Sequence, residues 1–376
     1  MKIAVNTRML IQGRLEGIGV FAHELLSRYT RQHPEHEFIF LFDRKFDDAF
    51  VYSKNVKPIV TGFPTRHSIL YYSWFEFFIP SVLKREKADL FFSPEGYLSL
   101  HSMVPSVNVI HDLNFEENRY GMPILDHRFY KHYFPKYARH ARRVATVSEF
   151  SKHDIMNRYG VEAARIDVIY DAAAKGFAPV NETINDHVRK RFTNGAPYFL
   201  FVGALHPRKN IAALLKAFEL FKDKNNSPFK LVLAGNRKWW NSEMESVFNA
   251  MKHQGAVVFT GRLSQPDLEA LTAAAFAAVN VSLYEGFGIP LLEAMQSGVP
   301  VIASRASCFP EIGGDAILFC DAHNTESIAG AMNELAVNKE SATDLIRKGL
   351  DRSACFSWDR STENLDACFK KAIQFY

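Results

Sequence analysis

Along most of the chain, short runs of almost wholly apolar residues alternate with longer amphipathic stretches. In the first half these runs predict strands at 2–6, 37–42, 89–93, 106–110, 143–147 and 166–169. Between them, apolar spacing near 3.6 residues predicts helices at 19–31, 69–85, 125–141 and 149–159. The period fades across 171–197, where Ala, Gly, Pro, Asn and charged residues mix, and this stretch reads as an irregular linker. A second alternating series follows, with strands at 198–202, 230–234, 257–260, 278–281 and 299–303 and helices at 214–221, 243–252, 267–274 and 291–297. Continuous apolar strands alternating with helices imply parallel sheets covered on both faces. The expected architecture is therefore α/β, with two doubly wound domains facing a central cleft. Residues 1–172 with 359–376 are expected to form the first domain, 173–196 the linker and 197–358 the second.

A length of 376 residues fits two domains, and 47% hydrophobic with 23% charged residues excludes a disordered chain. The net charge of +4 is unevenly placed, because residues 1–175 hold 24 basic and 20 acidic side chains whereas the remainder holds 21 of each. That excess is too small for a dedicated nucleic-acid binder, so no nucleic-acid partner is expected. Four dispersed cysteines without a C-x-x-C pair argue against a disulfide framework or a zinc site. The N-terminus runs straight into a strand-like segment without signal-peptide architecture, so a cytoplasmic location, at most peripheral at a membrane, is expected.

Open parallel sheets bind ligands beyond the carboxyl ends of their strands, so chemistry is sought in the loops there. The strongest signal is the segment from Ser282 to Met295, in which Glu285-Gly286-Phe287-Gly288-Ile289-Pro290 joins a buried strand to a helix. Glycines beside a helix N-terminus bring backbone N–H groups to a phosphate. Glu285 and Glu293, placed in the helix's first turn, could reach past a diphosphate to ribose and sugar hydroxyls. A second loop, Gly203-Ala204-Leu205-His206-Pro207-Arg208-Lys209-Asn210, offers Arg208 as a fork and Lys209 as a point charge for the same diphosphate, with a helix opening at Asn210. Gly235-Asn236-Arg237 and Gly261-Arg262-Leu263 lie on further strand-end loops and read either as nucleobase contacts, through Asn236 and Arg262, or as ordinary loop residues. In the first half, His111-Asp112 ends a strand, and Glu16-Gly17-Ile18-Gly19 forms a backbone-donor loop that does not complete a dinucleotide fingerprint. Ser148-Glu149 opens a helix with a capping signature. No Asp-x-Asp pair stands on a candidate loop, so no metal is expected.

The Glu285–Glu293 segment, the Pro207–Asn210 loop, the Val147–Lys152 segment and the His111-Asp112 pair together resemble glycosyltransferase family 4, a retaining family of the GT-B fold. The segment from Pro310 to Ala316 is similar to the branch containing bacterial O-antigen and polysaccharide mannosyltransferases. The resemblance implies two Rossmann-like domains, a final helix returning to the first, and a GDP- or UDP-linked sugar donor held mainly by the second. It further implies catalytic roles for His111, Arg208, Lys209 and Glu285, with Glu285 on the donor sugar and Glu293 on the ribose. Gly17, Gly19, Gly203, Asn236, Arg262, Gly286, Phe287 and Gly288 would complete the donor site, with no further cofactor. The sequence departs from the family at Ala204, where many members carry Arg, so the phosphate charge rests on Arg208, Lys209 and backbone donors.

The expected activity is transfer of a hexose, with mannose as the first candidate, to a glycan or lipid-linked glycan in bacterial surface polysaccharide synthesis. The competing readings are an epimerase or phosphorylase of the same fold, a dehydrogenase, and a non-catalytic polyanion-binding protein. Residues 127–143 hold six Lys/Arg, five interleaved Phe/Tyr and no acid, which fits docking on an anionic membrane. Pro135 is expected to interrupt that helix, and rings at this spacing also suit a core.

Overall fold

The computed structural model describes residues 1–374 except 14, 66, 118–120 and 226. The chain divides into two compact units, residues 1–171 with 357–376 and residues 172–356.

In the first unit the strands are β1 (Lys2–Asn6), β2 (Glu37–Phe42), β3 (Val56–Val60), β4 (Leu90–Ser93), β5 (Ser106–Val109), β6 (Arg143–Thr146) and β7 (Ile166–Val168). They form one parallel sheet in the order β3-β2-β1-β4-β5-β6-β7. The second unit carries β8 (Tyr198–Val202), β9 (Lys230–Ala234), β10 (Val257–Gly261), β11 (Ala277–Asn280), β12 (Val301–Ser304) and β13 (Ile317–Cys320) in the order β10-β9-β8-β11-β12-β13. Each sheet starts at its centre and is wound outward in both directions. The order reverses between β1 and β4 in one unit and between β8 and β11 in the other, and these are the positions where a doubly wound sheet opens a crevice.

Six helices bear on function: α1 (Gly17–Gln32), α2 (Ser68–Ser73), α3 (Ile124–His140), α4 (Ile211–Asn225), α5 (Ile289–Gln296) and α6 (Trp358–Ile373). The strands are apolar on both faces because helices cover both, as in β2, where Phe38 to Phe42 are all buried. The last helix, α6, belongs to the first unit. Its Phe369 meets Tyr29 and Phe92 edge-on at 5.2 and 5.1 Å, and Trp358 meets Phe21 at 6.3 Å.

Several expectations need correction. The expected linker lies inside the second unit and contains a helix, Glu182–Thr193, capped by Asn181 and tied to the rest of that unit through Arg191–Asp267 and the Arg189 bond to the Ala274 carbonyl at 3.3 Å. The single helix expected at 69–85 is α2, a π turn at Trp74–Phe78 and a further helix at Ile79–Glu86. Pro135 does not interrupt α3, which runs unbroken from Ile124 to His140. Two edge strands, β3 and β13, were not anticipated.

Candidate active site

In the second unit, the loop after β8 is pulled against the loop after β11. Gly203 leaves β8 at φ +145°, and a Cβ on the neighbouring Gly235 would stand 1.8 Å from the Gly203 carbonyl oxygen. Only glycine permits that approach between two strand ends. A short turn, Pro207–Lys209, follows, and Asn210 takes the left-handed conformation at φ 58° before α4 begins at Ile211, one residue later than expected. The Asn210 side-chain amide donates to the carbonyls of Val281 at 3.2 Å and Ala322 at 2.8 Å, pinning this turn to the ends of β11 and β13. Leu283 N–H donates to the Arg208 carbonyl at 2.9 Å.

This bracing brings Arg208, Lys209 and Glu285 into one ion-pair cluster. The Glu285 carboxylate accepts from Arg208 Nη1 at 2.8 Å and from Lys209 Nζ, while its own N–H donates to Ser307 Oγ at 3.0 Å. Arg208 Nη1 also donates to the Tyr284 carbonyl at 2.6 Å. Burial alone would raise the Glu285 carboxyl, but Arg208 and then Lys209 overcome it and draw it down to about 2. It is therefore ionised, and the three side chains sum to one surplus positive charge. His206 beside them is pushed down to about 4 by burial and the two cations. Its Nδ1 accepts from the Arg208 N–H at 3.1 Å, so the ring is neutral and orients the turn.

The glycine segment ends at Gly288, the N-cap of α5, in the left-handed conformation at φ 98°. A Cβ there would meet the Phe309 ring at 2.7 Å, so glycine is required on two counts. Phe287, expected as a donor contact, is held in the loop by packing. Its ring is buried, packs edge-on against Phe356 at 5.7 Å, and its carbonyl accepts from the buried Cys308 Sγ at 2.9 Å. That ring anchors the loop, and only backbone atoms of Phe287 remain for a ligand. Gly286 is buried beside it.

Glu293 also stands differently from expectation, at the fifth position of α5 rather than in the first turn. Burial, then the charge of Glu269, pushes its carboxyl up to about 8. A carboxyl raised in the folded state stabilises the protein fully below the ordinary carboxylate range, and that contribution is lost as pH rises through about 8. Glu293→Gln is therefore expected to flatten this dependence. Relative to the variant, the wild type should lose on the order of a few kcal/mol between pH 4.5 and 8.5, read by denaturant unfolding across that range. Parallel curves for the two proteins would show that Glu293 is not perturbed.

Asn236 and Arg262 fall on the ends of β9 and β10. Asn236 caps its own turn, accepting from Lys238 N–H at 2.9 Å, and Arg262 is exposed. Arg237, beside Asn236, lies 3.4 Å from the Phe259 ring centroid and 5.0 Å from that of Trp240.

In the first unit, His111 leaves β5 and lines a cavity of about 350 Å³. Its Nε2–H donates to the Pro94 carbonyl at 2.8 Å and its ring meets Phe21 edge-on at 4.9 Å. Burial lowers its pKa, so the ring is neutral with Nδ1 left as an acceptor. Gly17 and Gly19 are not loop residues, since α1 begins at Gly17, two residues earlier than expected. A Cβ at Gly19 would stand 2.9 Å from the Met9 carbonyl, which gives this glycine a packing reason.

The same cavity holds a group that sequence reasoning missed. Arg8 follows β1 and Glu95 follows β4, the two strands at the switch point. Arg8 grips Glu95 with a fork, Nε to Oε1 at 2.9 Å and Nη2 to Oε2, and donates from Nη1 to Thr65 Oγ1 at 3.2 Å. Asn6 Nδ2 adds a bond to Glu95 at 2.5 Å. The guanidinium lies 4.4 Å from the Tyr71 ring centroid and 5.4 Å from that of Tyr97, whose hydroxyl donates to Tyr130 at 2.8 Å. The position of each residue directly after a central strand was the available signal.

Two Rossmann-like domains, each doubly wound about its own switch point, make up the GT-B fold. Residues 183–352 match the model described as glycosyl transferases group 1, and residues 15–172 match glycosyltransferase family 4. The chain belongs to this family of glycosyltransferases. It is 28% identical over 289 residues to O-antigen chain mannosyltransferase B of Escherichia coli, covering 77% of this chain and 76% of that protein. It is 25% identical over 283 residues to the serotype-specific mannosyltransferase WbdA of Escherichia coli, covering 73% of this chain but 33% of that longer protein. In fold it is similar to HepE of Anabaena, solved with UDP-glucose, at a TM-score of 0.76 and 16% identity over 98% of this chain and 99% of that one.

Proposed function

We propose that the protein is a retaining, metal-independent hexosyltransferase. It moves a hexose from a GDP- or UDP-linked donor to a hydroxyl of a glycan or lipid-linked glycan in bacterial surface polysaccharide synthesis. Mannose is the preferred sugar, supported by the names of the two mannosyltransferase relatives. The observation that carries the reading is the Arg208–Lys209–Glu285 cluster at the β8/β11 switch point.

Departure of a nucleoside diphosphate builds negative charge while the anomeric carbon becomes electron-poor. Arg208 offers a fork and Lys209 a point charge to the departing phosphates, beside the positive end of α5. The preorganised surplus charge is worth most in the transition state, where the phosphate charge is greatest. Glu285 remains ionised and is an acceptor for hydroxyls of the transferred sugar. Within the first unit, neutral His111 offers Nδ1 as a hydroxyl acceptor in its own cavity. With two cations and helix amides at the diphosphate, no Lewis acid is required.

Purified protein is to be incubated with GDP-mannose and with UDP-hexoses, with and without a glycan acceptor, in excess EDTA. The expected result is nucleoside diphosphate release coupled to a glycoside of unchanged anomeric configuration, undiminished by the chelator. A strict need for added Mg²⁺ or Mn²⁺ at donor saturation would overturn the metal-independent mechanism. Release of an altered free monosaccharide without an acceptor would indicate an epimerase instead.

A further inference from the structure

Helix α3 has two faces of opposite character. Phe134, Tyr137 and Ala138 are buried in the core of the first unit, and Phe129, Tyr130 and Tyr133 are half-buried against it. Leu125, Arg128, Phe129, His132, Tyr133 and Lys136 follow the spacing of a single helical stripe on another side. Between this stripe and α2 lies a groove of about 940 Å³, lined by Ile69, Tyr72, Leu125, Phe129 and Tyr133 together with Arg128. Its rim is unusually apolar for a surface. Ile69 is 79% and Leu125 76% exposed, and Phe77 and Ile124 nearby are also exposed. These are four of the ten large apolar side chains exposed among the described residues. Contiguous exposed apolar surface marks a site of association.

The cations say with what. Arg128 and Lys136 stand exposed on the same stripe, and Lys136 Nζ donates to His132 at 2.6 Å above the Tyr133 ring. Lys131 is exposed one residue away and pairs with Glu116 at 3.5 Å. Asp126 is the acid that lines the groove. Among the described residues no helix is long and apolar enough to cross a membrane.

We propose that this face docks on an anionic lipid bilayer. Ile69 and Leu125 enter the boundary between headgroups and acyl chains, and Arg128 and Lys136 meet lipid phosphates. The proposal relocates the basic cluster expected from the sequence. Arg143 is a buried partner of Asp167 that also donates to the Ala164 carbonyl at 2.8 Å, and Arg139 donates to the Tyr159 carbonyl at 3.1 Å. The inference deepens the proposed function by presenting a lipid-linked acceptor at the bilayer, and it rests on that reading for the acceptor alone.

The test is co-sedimentation of the full chain with vesicles of phosphatidylcholine alone or with about a third phosphatidylglycerol, alongside donor turnover measured without vesicles. The wild type is expected to bind the anionic vesicles and be released by salt. Arg128→Glu with Lys136→Glu, and separately Ile69→Asp with Leu125→Asp, should each weaken binding at least fivefold while turnover is retained. Arg139→Glu with Arg142→Glu should leave binding unchanged. Equal partitioning of wild type and both groove variants would overturn the proposal. So would self-association abolished by Leu125→Asp without vesicle binding, which would make the occupant a second copy of the chain. Vesicle binding as expected, but with no turnover by any protein, would support docking and refute the transferase reading alone.

Discussion

Glu285→Gln is expected to lower glycosyl transfer by at least ~100-fold while tightening the hold on a nucleoside diphosphate, an effect of a few kcal/mol on the transition state. The two halves of this result have one cause. In the free protein the Glu285 carboxylate is the counter-charge for Arg208 and Lys209, whose side chains are only 17% and 14% exposed. Removing it leaves two cations facing each other, so the unliganded variant should melt earlier than the wild type. A diphosphate then supplies the missing negative charge and no longer meets a carboxylate beside it. Addition of GDP or UDP should therefore raise the melting temperature more for the variant than for the wild type. What the ligand cannot restore is the acceptor for the sugar hydroxyls, so turnover stays low at saturating donor. With its carboxyl held near 2, Glu285 contributes stability that is present above the ordinary carboxylate range and lost only as pH falls through about 2. The acid limb of the pH–rate profile above pH 4 should accordingly be the same in wild type and variant. Near-normal turnover of Glu285→Gln at donor saturation would remove the residue from the reaction.

The parts of the molecule legible in the sequence are those whose signal is contiguous. Most buried strands announce themselves as apolar runs, and the Gly286–Pro290 and Pro207–Asn210 loops carry their chemistry within a few residues. The edge strand β3 escaped because an edge needs less apolar pattern, whereas β13 was missed although Ile317 to Cys320 is a wholly apolar run. β3 includes Lys57 and Pro58, and proline is tolerated there where no ladder partner needs its missing N–H. The helix Glu182–Thr193 escaped because its apolar positions are sparse and its contacts outside the Asn181 cap, such as Arg191 with Asp267 and Arg189 with the Ala274 carbonyl, are to residues far along the chain. The packing of Phe287 escaped for a related reason. A ring inside a ligand loop reads as a contact, and only its partner Phe356, 69 positions later, shows that it is an anchor. The Arg8–Glu95 pair is the extreme case, since its members are 87 residues apart and meet only when β1 and β4 become neighbours.

That pair carries the second large effect. Arg8 is 8% and Glu95 2% exposed at the side chain, so each charge depends on the other for its solvation. Breaking a buried pair from one side costs about 3–5 kcal/mol, because the remaining charge stays buried without its partner. Glu95→Ala is therefore expected to destabilise the protein by about that amount in chemical unfolding followed by far-UV circular dichroism. Thr65 and the faces of Tyr71 and Tyr97 can offset only part of the loss for Arg8. Replacing both residues with methionine removes both charges and keeps the volume, and such replacements are often close to neutral, so most of the stability should return. Activity should not return with it. Within the cavity shared with His111, the pair supplies a fixed donor and acceptor array beside aromatic faces, which is the chemistry that orients a sugar ring. The double variant should therefore fold near wild-type stability and transfer at a small fraction of the wild-type rate. Full activity in the methionine pair would show that Arg8 and Glu95 serve only to join β1 to β4. Restored stability without activity would place them in the substrate site of the first unit.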